Sequence, residues 1–252
     1  MKYLNNKMIL MITLLMLLLS LILSSCTTSK QPIVDITILR DITDEQIRYT
    51  SYAEIREIFD FKKYLYYEHK VRVRELSDIR TGVSAESLLP AATEADIPEN
   101  SRKSQVRGFL TQTEQILKTN SNYADKQQSH LYYSIGEELN RLALESKATN
   151  RIVIVNSNLL ENNYAFSVYR DNDRRMLFEH PDSIIRIFER QIPLQNLKGV
   201  HIYLVHHSDP ETDYLYTEMA RLYSYYFGLK GAKVDVVANF ISANIQNRNE
   251  AL

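Results

Sequence analysis

The sequence predicts an α/β fold: a doubly wound, mostly parallel central sheet with helices on both faces. Three observations predict it. Short β-branched runs alternate along the chain with longer segments whose apolar residues recur at helical spacing. Several of the runs are apolar almost throughout, as strands covered on both faces are. The intervening segments are long enough to serve as crossovers between parallel neighbours.

Ile33 to Leu39 opens the domain as a buried strand. Ser51 and Glu54 then form a capping box, and Ile55, Ile58 and Phe59 take the inner face of the helix that follows. Lys70 to Leu76 alternates strictly, so it reads as a half-exposed strand. The stretch from Asp78 to Pro98 is broken by Gly82 and Pro90 and holds an edge strand around Ser87-Leu88-Leu89. Helical spacing returns over Asn100–Lys118, through Val106, Phe109, Thr113 and Leu117. It returns again over Gln128–Ser146, through Leu131, Ile135, Leu139 and Leu142, with Gly136 allowing close approach to the sheet. Arg151–Val155 is the next buried strand. The charge run Arg170–Arg175 reads as a solvated loop. Asp182 caps a short helix carrying Ile184, Ile185 and Phe188. Val200–Val205 is a strand, a long helix runs from Glu211 to Gly228, and Lys233–Ala238 closes the sheet. No internal repeat is present.

Composition excludes several functions. The 252 residues carry a formal charge of only −1, too little to gather nucleic acid. The six glycines fall in no GxGxxG, GxxxxGK[ST] or GxSxG pattern, which removes the signatures of dinucleotide folds, P-loops and hydrolase elbows. A single cysteine rules out an intrachain disulfide and any multi-Cys zinc site.

That cysteine has a particular place. Lys2 and Lys7 precede an apolar run from Met8 to Leu23, short of the roughly 20 residues a bilayer span needs. The run ends in Leu23-Ser24-Ser25-Cys26, which resembles the bacterial lipobox, where the cysteine is acylated and becomes the new N-terminus. The resemblance implies a signal peptide over residues 1–25, a lipidated Cys26 with a short tether over 26–32, and anchorage of Cys26 in the lipid bilayer. The tether has no acidic run of the kind that sends some lipoproteins to the outer cell surface, so the expected location is the cell envelope, facing the periplasm. Removing residues 1–25, with two Lys and no acid, takes the formal charge from −1 to −3. Residues 33–240 then form the α/β domain and 241–252 a C-terminal tail.

Ligands in such sheets sit outside the carboxyl ends of the strands. The first strand runs into Arg40-Asp41-Ile42-Thr43-Asp44-Glu45, and a later one into Asn156-Ser157-Asn158. Between them, Ser129 stands at the start of a helix. This order is similar to the von Willebrand factor A (VWA) family, a three-layer Rossmann-like sandwich in which Asp-x-Ser/Thr-x-Ser, a later hydroxyl and a Ser/Thr-Asp build a metal-ion-dependent adhesion site. Carried over residue by residue, the resemblance implies Asp41, Thr43, Ser129 and Asn158 as the metal set, Mg²⁺ or Mn²⁺ as the ion, and an envelope protein as the partner. Mg²⁺ suits such oxygen ligands. Glu45 stands where the family has its second Ser, and Asn158 replaces its Asp. Two other readings of the same residues are a hydrogen-bonded cap over strand and helix ends, leaving a structural lipoprotein, and an envelope hydrolase drawing on Asp41, Asp44 and Glu45. No nucleophile–base pair accompanies those acids, so the expectation is a non-enzyme.

Other polar groups read as structural. His206-His207-Ser208-Asp209 is a polar turn, since neighbours on a strand point to opposite faces. His69, His130, His180 and His201 have no metal-ligand spacing. Of the tyrosines on the last long helix, Tyr226 joins the apolar stripe of Leu215, Met219 and Leu222, whereas Tyr225 turns outward.

Overall fold

The computed structural model describes residues 34–43, 47–76, 84–119, 129–205, 209–238 and 240. Residues 1–25, read above as a signal peptide, Cys26 with the expected tether over 26–32, and residues 241–252 lie outside the described residues. Six strands form one sheet: β1 (Val34–Asp41), β2 (His69–Leu76), β3 (Ser84–Leu89), β4 (Asn150–Asn156), β5 (Val200–Val205) and β6 (Lys233–Val237). Their order is β3-β2-β1-β4-β5-β6. Every pairing is parallel except that of β3, which runs antiparallel to β2 at the edge. The α/β fold, doubly wound with helices on both faces, is therefore the observed one.

The helices are α1 (Tyr52–Arg56), α2 (Glu99–Lys118), α3 (Leu131–Glu145), α4 (Asp171–Glu179), α5 (Pro181–Gln191) and α6 (Asp213–Leu229). Strand alternation sorts the core into two layers. Ile36, Ile38, Val71, Val73 and Ile154 face α1 and α2 through Ile55, Val106 and Phe109. Leu39, Val153, Val155, Ile202 and Leu204 face α3 to α6. The capping box at α1 forms as its spacing implies: Glu54 N–H donates to Ser51 Oγ, and Ser51 N–H donates to Glu54 Oε2.

The alternating charges of β2 end in ion pairs. Arg72 and Arg74 reach Glu138 of α3 at 3.3 and 3.0 Å, and Arg141 reaches it at 2.7 Å. Glu138 is buried, and burial alone would raise its pKa, but these guanidinium groups hold it below the usual carboxylate range. Arg40, buried in the other layer, donates to the Leu117 carbonyl at 2.6 Å. It thereby satisfies one orphan C=O of α2 and places a cation at the negative end of that helix.

Three local expectations are corrected. Arg170–Arg175 is not a loop: Asp171 begins α4, whose first turns are held by Arg170–Asp173 and Arg174–Asp171 pairs. Asp182 is not the cap of α5; it sits in the first turn behind Pro181, and His180 occupies the N-cap. Gly136 makes room for the segment after α5 rather than for the sheet, since a Cβ there would stand 2.9 Å from Ile192 Cγ2.

An aromatic stack joins three helices beneath the sheet. The Phe188 ring lies 4.1 Å from that of Tyr132 at 8° and 5.8 Å from Tyr223, with Phe166 edge-on at 5.9 Å. Phe188→Ala is expected to cost about 3–5 kcal/mol of stability in urea denaturation. A loss under about 1 kcal/mol would mean that this layer repacks around the gap.

Candidate functional site

Strand addition reverses between β1 and β4, which lie side by side at the centre of the sheet. Their register sets Arg40 opposite Asn156, so the next residue on each, Asp41 and Ser157, meet just past the carboxyl ends. Ser157 Oγ donates to Asp41 Oδ2 at 2.6 Å. Thr43 donates to Asp41 Oδ1 twice, from its N–H at 3.0 Å and its hydroxyl at 2.6 Å. Asp41 is completely buried, so these three bonds replace the water it has lost. Behind it, Asn156 Oδ1 accepts from Thr50 N–H and hydroxyl at 2.9 and 2.8 Å, which fixes the incoming loop to the strand end.

A second buried carboxylate completes the site. Glu161 accepts from the Tyr132 N–H at 2.8 Å and from the Tyr223 hydroxyl at 3.3 Å, both on Oε2. Asn163 Nδ2 donates to its Oε1. The first of these bonds serves an unpaired N–H in the opening turn of α3, where a negative charge is favoured. Burial opposes that charge, with a smaller push from Asp41, and Glu161 is driven up to about 8. No Lys or Arg among the described residues bonds to it. The Tyr223 phenol, buried beside Glu161, is likewise pushed up.

The loop holding Glu161 is built from short polar caps. Ser157 Oγ accepts from Leu159 N–H at 2.9 Å, and Asn163 Oδ1 accepts from Ala165 and Phe166 at 2.8 and 3.1 Å. Leu159 sits at φ 57°, a left-handed conformation that costs a non-glycine residue about 1–2 kcal/mol. Its side chain is buried in the α3–α6 layer, which offsets that cost.

The predicted metal set is brought together only in part. Asp41 and Thr43 are bonded as described. Ser129 exchanges backbone hydrogen bonds with Asn162 at 2.8 and 3.1 Å, beside Glu161. Its hydroxyl is buried without a hydrogen-bond partner. The side chain of Asn158 turns back onto its own loop. Its Oδ1 accepts from Leu160 N–H at 3.0 Å, and Ser157, one residue earlier, reaches Asp41. Sequence reasoning assigned no role to Ser157, Asn156 or Glu161. Asp44, Glu45 and residues 206–208 lie outside the described residues. Asp209 caps the approach to α6, accepting from Glu211 N–H and the Thr212 hydroxyl. Among the described residues no group of three or more His, Cys, Asp or Glu is placed to hold a metal. A cation here would rest on hydroxyl and amide oxygens. Compared with known families and with curated proteins, the chain matches no family model and no curated protein.

The pH consequence of Glu161 has a definite sign. Its carboxyl ionises near 4.5 in the ordinary state and about 8 in the fold, so the folded chain holds a proton that the unfolded chain has released. Its contribution to stability is complete below pH 4.5 and is lost as pH rises through 8. Glu161→Gln should cost about 1–3 kcal/mol at acid pH, because an amide cannot accept from both Tyr132 and Asn163. That deficit is expected to shrink by a few kcal/mol at roughly 1.4 kcal/mol per pK unit between about pH 5 and pH 9. Parallel stability curves for the two proteins would contradict the assignment.

Proposed function

We propose that the chain is a membrane-anchored cell-envelope lipoprotein whose VWA-like domain binds a protein partner at the strand-end face, through a weak Mg²⁺ or Mn²⁺ site, and that it catalyses no reaction. One observation carries the reading: Asp41 and Ser157 meet where the strand order reverses, and the neighbouring loop pairs with Ser129, whose hydroxyl is buried and unpartnered. The chemistry of the donor set supports it. A hydroxyl that donates its hydrogen to Asp41 still has lone pairs to offer, and Ser157 Oγ, which already accepts from Leu159 N–H, has one left to turn toward a cation while the carboxylate polarises it. A hard ion would also favour the ionised form of Glu161, which burial and, to a smaller degree, Asp41 otherwise keep protonated. Four aromatic residues on segments leaving this edge, Tyr164, Tyr169, Phe178 and Tyr214, are about half exposed or more. Such side chains supply contact area at low entropic cost.

The hydrolase reading gains less. Glu161 has the raised pKa of a general acid but no exposed surface from which to reach a substrate. An inert cap is favoured by the three hydrogen bonds already made to Asp41. Calorimetry separates the two. The purified chain should bind Mn²⁺ or Mg²⁺ with a Kd near a millimolar or below, about −4 kcal/mol, and Asp41→Ala should abolish the heat. No heat at 10-fold higher metal, on the order of 10 mM, would leave only the cap.

For the anchor, Cys26→Ser is expected to abolish incorporation of labelled palmitate in cells. A labelled mutant would remove the lipoprotein assignment.

A further inference from the structure

A groove of about 600 Å³ lies at the other edge of the sheet, where the parallel strands begin. It runs between the segment before β5 and the turn before β6, lined by Leu194, Gln195, Asn196, Lys198, Leu229 and Lys230. Two features fix its shape. Leu197 N–H donates to the Lys230 carbonyl at 2.7 Å, which ties the two segments together. Gly231, at φ 94°, closes the turn where a Cβ would stand 3.3 Å from the Lys198 nitrogen. Its volume is within the roughly 300–1,000 Å³ of small-molecule sites.

We propose that this groove seats the headgroup of an anionic phospholipid, in the bilayer to which the chain is tethered. The inference rests on the anchor at Cys26 proposed above. Charge sets the first limit. The connections that open β4, β5 and β6 carry Lys147, Lys198 and Lys230 and no acid. Lys147 and Lys198 are exposed and make no ion pair among the described residues. Lys230 is shared, its Nζ 2.8 Å from Glu189 and 5.5 Å from the centre of the Tyr226 ring. Asn196 Oδ1 accepts from Lys198 N–H at 2.9 Å, which leaves its Nδ2 hydrogens for a phosphate oxygen.

Exposed apolar surface sets the second limit. Leu229 is 64% exposed and Leu144 is 70% exposed. Asn140, one turn before Leu144 on the same face of α3, bonds the Pro193 carbonyl at 3.0 Å and the Gln195 N–H at 2.8 Å. Leu144 therefore stands on the side of α3 that meets the groove's own wall. Leucines among lysines match a membrane interface, where acyl chains take the one and phosphates the other. A soluble phosphate would use the lysines and leave both leucines in water.

Reach supplies the third argument. β1 begins at Val34 on this same edge, so the tether expected over 26–32 enters the domain here. Eight residue steps of at most 3.6 Å keep Val34 within about 29 Å of Cys26. The starts of β5 and β6 are two and three strands from β1, on the order of 10–14 Å. The bilayer is thus within reach of the groove.

The test is lysine acetylation, read by mass spectrometry, of the full protein recovered from cells and placed in lipid nanodiscs. The discs are phosphatidylcholine alone, or equal parts phosphatidylcholine and phosphatidylglycerol. Lys198 is expected to react at least about 5-fold more slowly in the anionic discs, the factor given by about 1 kcal/mol per lysine near such a surface. Lys103 and Lys118, exposed on α2, should react alike in both. Leu229→Asp, at an exposed helix end, should return Lys198 to its rate in phosphatidylcholine, and Leu144→Asp gives the same readout should that variant fail to fold. Inorganic phosphate added to phosphatidylcholine discs should not slow Lys198. Equal rates in the two discs, slowing by inorganic phosphate, or slowing unaffected by the leucine substitutions would each overturn the proposal and leave the anchor standing. The intact mass reads the anchor separately: a chain without acyl groups on Cys26 would overturn both.

Discussion

Asp41 has to be satisfied without water, and much of the strand-end architecture follows from that. A carboxylate removed from solvent costs several kcal/mol unless donors converge on it. Among the described residues, donors reach it from two directions: Thr43, just past the end of its own strand, and Ser157, past the end of β4. The second contact exists only if β1 and β4 are parallel neighbours in one register. A slip of one residue would turn Ser157 to the other face of the sheet and leave the carboxylate short of a donor. The polar knot therefore specifies the register that the apolar layers alone would leave less certain.

The same knot explains why Glu161 sits where it does. Its loop leaves β4 through Ser157 and must return over α3, whose first turn offers unpaired N–H groups. One carboxylate oxygen meets that need at Tyr132, and the Ser129–Asn162 bridge holds the loop against the approach to the helix. Burying a carboxyl there is unfavourable to its charged form, with a smaller push from Asp41, and the raised pKa of Glu161 expresses it. Glu138 makes the contrast. It is as deeply buried, yet three guanidinium groups hold it ionised, so it acts as a bolt between α3 and β2. Glu161, by contrast, is bonded by no Lys or Arg among the described residues and stays poised to take or release a proton.

Much of the fold was legible because its signals are local. β-branched runs, helical spacing and the Ser51–Glu54 box each depend on residues within a few positions of one another. Helix α4 was missed because Arg170–Arg175 is charged throughout, and its apolar residues, Met176, Leu177 and Phe178, come only at its end. At the site, Asp41 and Thr43 were readable because they lie two residues apart and bond each other. Asn158 is named because it stands in the acid's place of the Ser/Thr-Asp pair in the resemblance, whereas the pairing of Arg40 with Asn156 shows that Ser157 stands beside Asp41. Glu161 was invisible for a deeper reason. An acid in a polar stretch is normally solvated, and its burial depends on Tyr132, Asn163 and Tyr223 arriving from separate parts of the chain.

The two edges of the sheet also differ in what they lack. At the carboxyl edge Asp41 and Glu161 are both buried, Glu161 bonds to no Lys or Arg among the described residues and keeps its proton up to about pH 8, and the Ser129 hydroxyl is left over. At the amino edge the orphan is a neutral imidazole nitrogen among aromatic rings, and the deficit is of a hydrogen-bond donor. A native chain leaves few such groups unsatisfied, because each costs about 1–3 kcal/mol. These two are not alone among the described residues: Thr113 Oγ1, Gln191 Nε2 and Ser224 Oγ are also buried without a hydrogen-bond partner. What distinguishes the Ser129 hydroxyl is its setting, since the loop that pairs with Ser129 through Asn162 also carries Glu161 against the first turn of α3.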